Sequence, residues 1–330
     1  MFFIRTCLLL GIAFSVLSPG ATPSVWIIGE KSLSFYSPSL GLQSFPNLDA
    51  QTSLVDEKTC ALWVQSQGRL FQLQPGISIQ KEITTPENLL GSKTKENLFL
   101  TFSDKFWTVR DTDGNGVRSF PALANHPVNF EGDSSIGFWS LDFNQEKNNL
   151  DLIHFNLDGQ RFWSKPVSKN VELWSQPRLN LIPSSDQLWI SFTVSSTSHA
   201  YSPYVELWNS AGEMKKTFPF PDRGLLLDAC TTANESFLIS RDIPSSPYTV
   251  PLFSFLELLS PSTAPKSIYQ AFDNYLISSL QCQPDVIWTL QKSVLGGQTT
   301  RLVELSPKME EKNVLPLKEP AWKIHACSLQ

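Results

Sequence analysis

Ala321-Trp322-Lys323-Ile324-His325-Ala326-Cys327 reads as a strand, and only three residues follow it. It is similar to Leu226 to Cys230 and Ser278 to Cys282, each of which leads into a further apolar strand. The complement stands at the other end of the chain. There Val25-Trp26-Ile27-Ile28 has the pattern of a second strand, with no first strand before it. A first strand without a successor and a second strand without a predecessor predict that the two pair and close a ring of sheets. Such closure removes the open edge that would otherwise invite pairing with other chains.

Outward from Val25, the second-strand pattern recurs as Ala61-Leu62-Trp63-Val64, Leu98-Phe99-Leu100-Thr101, Gly137-Phe138-Trp139-Ser140, Gln187-Leu188-Trp189-Ile190, Ser236-Phe237-Leu238-Ile239 and Val286-Ile287-Trp288-Thr289. Counting Val25 to Ile28, five of these seven place Trp in one register, at a spacing of about 37 to 50 residues, which is the period of propeller blades. Each is followed by a polar turn, an alternating strand such as Leu152 to Asn156 or Arg301 to Leu305, a turn with Gly, Asp, Asn or Pro, and a further strand. Period-2 alternation bounded by turn formers is the hairpin signature. Strands at Thr52 to Val55, Arg178 to Ile182, Leu225 to Ala229 and Tyr275 to Leu280 precede the Trp strands and complete four-stranded units. The apolar run Leu252 to Leu259 lies between prolines and fits a buried strand or a wide hairpin. The expected fold is all-β: a seven-bladed β-propeller of four-stranded blades, closed by pairing of the C-terminal strand with the N-terminal one. A β-sandwich also uses short strands and frequent turns, but it does not account for the repeated four-strand order or the matching ends.

Asp158-Gly159-Gln160-Arg161-Phe162-Trp163, following the alternating strand from Leu152, resembles the repeat of pyrroloquinoline-quinone-type propellers, and Leu207 to Phe218 is a fainter copy. The resemblance implies that these segments form the outer half of a blade. It is one of architecture, because the adjacent cysteine pair of the quinone dehydrogenases does not occur in this sequence; no cofactor is carried over.

Arg5, the apolar run Cys7 to Leu17 and the small residues up to Ala21 have the three parts of a signal peptide. The run is shorter than the roughly 20 residues a spanning helix needs. Residues 1–20 are therefore expected to be a signal peptide and 21–330 a single propeller domain, periplasmic or extracellular, with no membrane span in the mature chain. A formal charge of −5 without a Lys/Arg run lacks the electrostatic footprint of a nucleic-acid binder. Ten Trp and 22 Phe against 16 Gly favour large side chains packed on strands.

Cys60, Cys230, Cys282 and Cys327 lie beyond the signal peptide without zinc-site spacing. Cys230, Cys282 and Cys327 fall at similar places on three consecutive innermost strands, so a disulfide between neighbours, for instance Cys282 with Cys327, would staple the closing blade. The alternative is that they are small buried hydrophobes. Cys60, near the start of a second strand, has no evident mate. Asp111-Thr112-Asp113-Gly114-Asn115-Gly116 places Asp111, Asp113 and Asn115 at the alternate positions of a calcium loop. Its second half fails, with Ala122 where a bidentate Glu belongs, and the same residues suit the turn of an outer hairpin. His126, His154, His199 and His325 share no metal-ligand spacing. His154 alternates with apolar residues on a strand, which suits a structural role, and His325 is expected to point from an innermost strand into the channel. Asn234-Glu235-Ser236 is a glycosylation sequon. The reading is a monomeric, exported, non-enzymatic scaffold that holds a protein partner or small ligand through loops at one face. The alternative is a hydrolase or lyase at the mouth of the central channel, using His325 and acids such as Asp228.

Overall fold

The structure, a computed structural model, describes residues 22–29, 31–46, 48–56, 59–76, 78–85, 87–93, 98–103, 105–121, 127–132, 137–144, 149–169, 178–182, 187–195, 201–220, 224–232, 236–244, 251–271, 274–294 and 299–329. His126, His199, most of the sequon and the whole expected signal peptide lie outside these residues. The described chain is built from 28 strands in seven four-stranded antiparallel sheets.

The first blade holds β1 (Thr22–Gly29), β2 (Ser32–Ser37) and β3 (Gly41–Pro46); its innermost strand is β28 (Ala321–Leu329). The second blade is β4 (Thr52–Val55), β5 (Leu62–Ser66), β6 (Arg69–Gln74) and β7 (Ser78–Thr84). The third is β8 (Asn88–Lys93), β9 (Phe99–Phe102), β10 (Phe106–Arg110) and β11 (Gly116–Pro121); the fourth is β12 (Pro127–Gly132), β13 (Gly137–Asn144), β14 (Asn149–Asn156) and β15 (Arg161–Lys169). The fifth is β16 (Arg178–Ile182), β17 (Gln187–Ser195), β18 (Tyr201–Asn209) and β19 (Met214–Pro219). The sixth is β20 (Leu225–Thr231), β21 (Phe237–Pro244), β22 (Pro251–Ser260) and β23 (Thr263–Gln270); the seventh is β24 (Tyr275–Gln283), β25 (Val286–Ser293), β26 (Thr300–Leu305) and β27 (Glu311–Leu317).

The ring closes as the unpaired ends require. β28 pairs antiparallel with β1, placing Trp26 opposite His325 and Thr22 opposite Leu329. The innermost strands touch in an unbroken circle: β28 meets β4, then β8, β12, β16, β20 and β24 follow in turn, and β24 meets β28.

The Trp strands supply the packing between blades. Trp26, Trp63, Trp139, Trp189 and Trp288 are at most 3% exposed. Trp63 packs on Phe99 of the next blade with ring centroids 5.3 Å apart, Trp189 on Phe237 at 5.1 Å and Trp288 on Tyr36 at 5.9 Å. Trp107, outside the register read from sequence, does the same with Phe155 at 5.3 Å. Such pairs contribute about 1 kcal/mol each beyond area burial. His154 is 2% exposed and stacks on Trp139 at 4.0 Å, which is the structural role its alternation suggested.

Four of the seven outer hairpins share one turn. In it a polar residue's main-chain N–H donates to the carbonyl oxygen four residues on, and its own carbonyl accepts from the N–H three residues on. This pattern occurs at Asp111, Asn156, Asn209 and Ser306. Each side chain also accepts from the main-chain N–H four residues on. The fourth residue, Gly114, Gly159, Gly212 or Met309, has positive φ, and a bulge in the hairpin register follows. All three glycines also pack against the preceding blade, Gly114 against Ile83 and Trp63. A Cβ on Gly159 would sit 2.5 Å from the Phe120 ring, and one on Gly212 would sit 2.8 Å from Trp163. Gly76, with φ +93°, has open space around it. Gly159→Ala is therefore expected to cost about 2 kcal/mol, through both the left-handed backbone and the ring contact. Gly76→Ala should cost only the backbone part. Urea midpoints compare the two; equal losses would mean that the turn does not bear on the neighbouring blade.

Candidate functional site

The polar side chains near the axis tie blades together. Asp228 on β20 accepts through Oδ2 from Ser279 Oγ and the Leu280 N–H, both at 2.9 Å, and through Oδ1 from the Ala229 N–H at 2.8 Å. Ser279 Oγ accepts in turn from the Ile324 N–H of β28 at 3.3 Å. His325 Nε2 shares a 2.8 Å hydrogen bond with Ser53 Oγ of β4. Gln65 carries the sequence into the third blade, donating to Asn88 Oδ1 at 2.7 Å and accepting from the Leu89 N–H at 2.8 Å. These bonds link the sixth, seventh, first, second and third blades in order. Asp228 and His325 are 7% and 8% exposed. The expectation that His325 points into the channel is thus corrected: it sits in the contact between two innermost strands. Asp228 and His325 are both engaged in blade-to-blade bonding.

The cysteines form two bridges, Cys60–Cys327 and Cys230–Cys282, with Cα atoms 5.3 and 5.7 Å apart, inside the range a disulfide spans. The second joins neighbouring innermost strands, as the spacing suggested. The pairing of Cys282 with Cys327 is corrected, because Cys327 faces the second blade and takes Cys60, which precedes β5. There the Cys60 carbonyl also accepts from Trp26 Nε1 at 2.8 Å.

Asp111, Asp113 and Asn115 are held by the turn described above. Asp111 accepts through Oδ1 from the N–H groups of Asp113 (2.9 Å) and Asn115 (2.8 Å), and through Oδ2 from Asn115 Nδ2 at 3.1 Å. Burial works to raise the Asp111 carboxyl, but these bonds, aided by the charge of Lys81, hold it below its usual value. Asp113 lies exposed on the turn. Among the described residues no group of three or more His, Cys, Asp or Glu is placed to hold a metal ion.

Two buried carboxyls are shifted the other way. Burial pushes Glu206 up to about 7, against a 2.8 Å hydrogen bond from Trp208 Nε1. Burial likewise pushes Asp242 up to about 6, against a 2.6 Å bond from the Leu225 N–H and the charge of Arg241. A carboxyl with a folded pKa above its unfolded value binds its proton more tightly when folded. Stability is then full below the unfolded value and falls as pH rises to the folded one. For Glu206 this predicts a loss of about 3 kcal/mol between pH 4.5 and 7. Glu206→Gln should flatten that part of the stability profile, measured by chemical denaturation across the range; an unchanged slope would show that Glu206 titrates normally. Glu87 acts in a separate window. Burial works to raise it, but hydrogen bonds from Thr101, Thr108 and Arg110 and the Arg110 charge outweigh this and hold it low. Its contribution is lost only on acidification below the ordinary carboxylate range.

A cleft of about 480 Å³ opens between the sixth and seventh blades, at the face formed by the β20–β21, β24–β25 and β26–β27 turns. Leu258, Ile268, Ile287 and Met309 form its apolar floor and belong to the hydrophobic cluster that contains Cys230 and Cys282. Lys266 stands on one wall and Lys308 on the other. A bulge explains why neighbouring residues of β23 line one space. Ile268 is skipped between the Glu257–Ser267 and Leu256–Tyr269 pairs, which breaks the alternation of sides. Gln283 fixes the inner wall: its amide donates to the Cys327 carbonyl at 2.6 Å and to Ser328 Oγ at 3.2 Å, and accepts from Trp288 Nε1 at 2.9 Å. The Cys230–Cys282 bridge ties that wall to the sixth blade. The volume, the apolar floor and the few polar groups are those of a small-ligand or side-chain site. No sequence motif marks it, since its lining comes from separate segments of two blades.

No protein-family model matches the chain, and no curated protein sequence matches it. Its similarity is to solved structures. A hypothetical selenium-binding protein from Sulfolobus tokodaii is 10% identical, with a TM-score of 0.58, over 94% of this chain and 92% of that one. The Synechocystis apocarotenoid oxygenase is 9% identical, with a TM-score of 0.58, over 93% and 92%. A protein of unknown function from Bacteroides caccae is 9% identical, with a TM-score of 0.50, over 94% and 100%. At these identities the likeness is one of fold, and it supports the propeller architecture.

Proposed function

We propose that this chain is an exported, non-enzymatic binding propeller that holds a ligand in the cleft between its sixth and seventh blades. The observation that carries this reading is the prebuilt cleft, with an apolar floor and a wall fixed by Gln283 and a disulfide. A site ordered before the ligand arrives loses less freedom on binding. Loops and turns on a rigid frame are where such frames carry function. Export is supported by the leader-like residues 1–20 and by two disulfides, which persist in oxidising compartments. The test is photo-crosslinking of the full chain in its native compartment, with the photoreactive residue at Ser267 in the cleft or at exposed Leu42 on the first blade. A defined adduct at position 267 and none at 42 is the expected result. Equal labelling at both positions, or none at 267, overturns the reading.

A further inference from the structure

The two charged side chains among the described lining of the cleft are both cations. Lys266 and Lys308 are exposed, and neither ammonium has an ion-pair or hydrogen-bond partner among the described residues. Among the described residues no carboxylate lines the cleft, although the chain as a whole carries a formal charge of −5. Asp285 and Glu310, next in sequence to Pro284 and Met309, stay outside the lining. Beneath the two cations lies an apolar floor, so the ligand that satisfies both parts carries an apolar group between acidic ones. The wall that bears Lys266 adds a third element. β23 is the outermost strand of its blade and pairs only with β22, which leaves the main-chain groups of its other edge without a partner in the sheet. An open strand edge beside a pocket for alternate side chains is the arrangement by which sheets take up an extended peptide.

We infer that the cleft binds an extended acidic peptide segment, with an apolar side chain on Leu258, Ile268, Ile287 and Met309, and the carboxylates two residues to either side of it at Lys266 and Lys308. This inference rests on the binding-module reading and gives its ligand a chemical class. Cations at the rim of a cleft steer and select an acidic partner more than they add raw affinity, so the inference predicts a salt-sensitive interaction.

The test is fluorescence anisotropy with the full chain and a labelled decapeptide that carries glutamate and leucine in turn at every second position, with serine between them. Saturable binding is expected, weakened about tenfold in the Lys266→Glu/Lys308→Glu double variant and weakened by added salt. A lysine–leucine peptide and a glutamate–serine peptide should fail to bind, the first for charge and the second for want of an apolar side chain. Both substitutions are at exposed positions, so the variant should fold as the parent does. Absence of saturable binding, or equal affinity in the double variant, overturns the assignment. So does displacement of the peptide by laurate at lower concentration than by unlabelled peptide, which would make the occupant a small carboxylate. The crosslinking result separates the two levels. A specific adduct at position 267 without peptide binding removes the acidic-peptide assignment and leaves the binding module standing; loss of both removes both.

Discussion

Replacing Cys60 and Cys327 together by serine is expected to lower the unfolding free energy by about 5.5 kcal/mol, the chain-entropy value for so long a loop. The two residues are 267 apart in sequence, so their bridge excludes from the unfolded ensemble every conformation in which residues 60 and 327 are far apart. The second bridge spans 52 residues, and its loss should cost about 4 kcal/mol on the same account. The two differ more in what they release. Cys327 lies on β28, the strand that completes the first blade, whereas Cys230 and Cys282 join two blades that are each continuous in sequence. Guanidinium unfolding gives the energies, and amide exchange across 321–329 gives the location. If those amides stay as protected in the double variant as in the parent, the bridge does not guard the closing strand.

The second large effect belongs to the ion pair inside the sixth blade. Arg241 donates from Nε to Glu257 Oε2 at 2.9 Å and from its Nη2 to Oε1 at 2.6 Å, and the two residues are only 3% and 6% exposed. The guanidinium also lies over the Phe220 ring, at 5.4 Å from its centroid. Removing Glu257 alone leaves a buried cation without its paired charge. Glu257→Ala is expected to cost about 4 kcal/mol. Replacing both partners with apolar residues of similar size, as in Arg241→Met/Glu257→Leu, should restore most of that loss, because the desolvation cost of two charges disappears with them. Urea unfolding of the single and double variants decides it. A double variant as unstable as the single one would mean that the pair contributes net energy, and that its role is not chiefly to fix how β21 and β22 meet.

The architecture was legible because its signals are local and repeated. Trp63, Trp139, Trp189 and Trp288 sit at one position of one strand type, and the two ends of the chain match each other as halves of a blade. Pairing across the ring was harder to read. Cys60 has no distinctive neighbours, and its closeness to Cys327 depends on how the first blade packs on the second, which no short-range pattern encodes. The Asp111 segment is ambiguous in the sequence for a related reason. Oxygen-bearing side chains with glycine suit a calcium loop and a bulged hairpin turn alike, and only the recurrence at Asn156, Asn209 and Ser306 shows the turn as a shared device of four outer hairpins. The cleft gives no signal at all in the sequence. Lys266 and Lys308 are 42 positions apart and become neighbours only when the sixth and seventh blades meet.

Because Thr22 lies opposite Leu329 in the closing pair, the two ends of the described chain are side by side. A short tight turn there would make one continuous hairpin of β28 and β1, and the backbone could then be opened at an outer-hairpin turn of any other blade. The present starting point is one solution among several to the same circular arrangement, and versions of this ring with relocated termini should reach the same set of blade contacts.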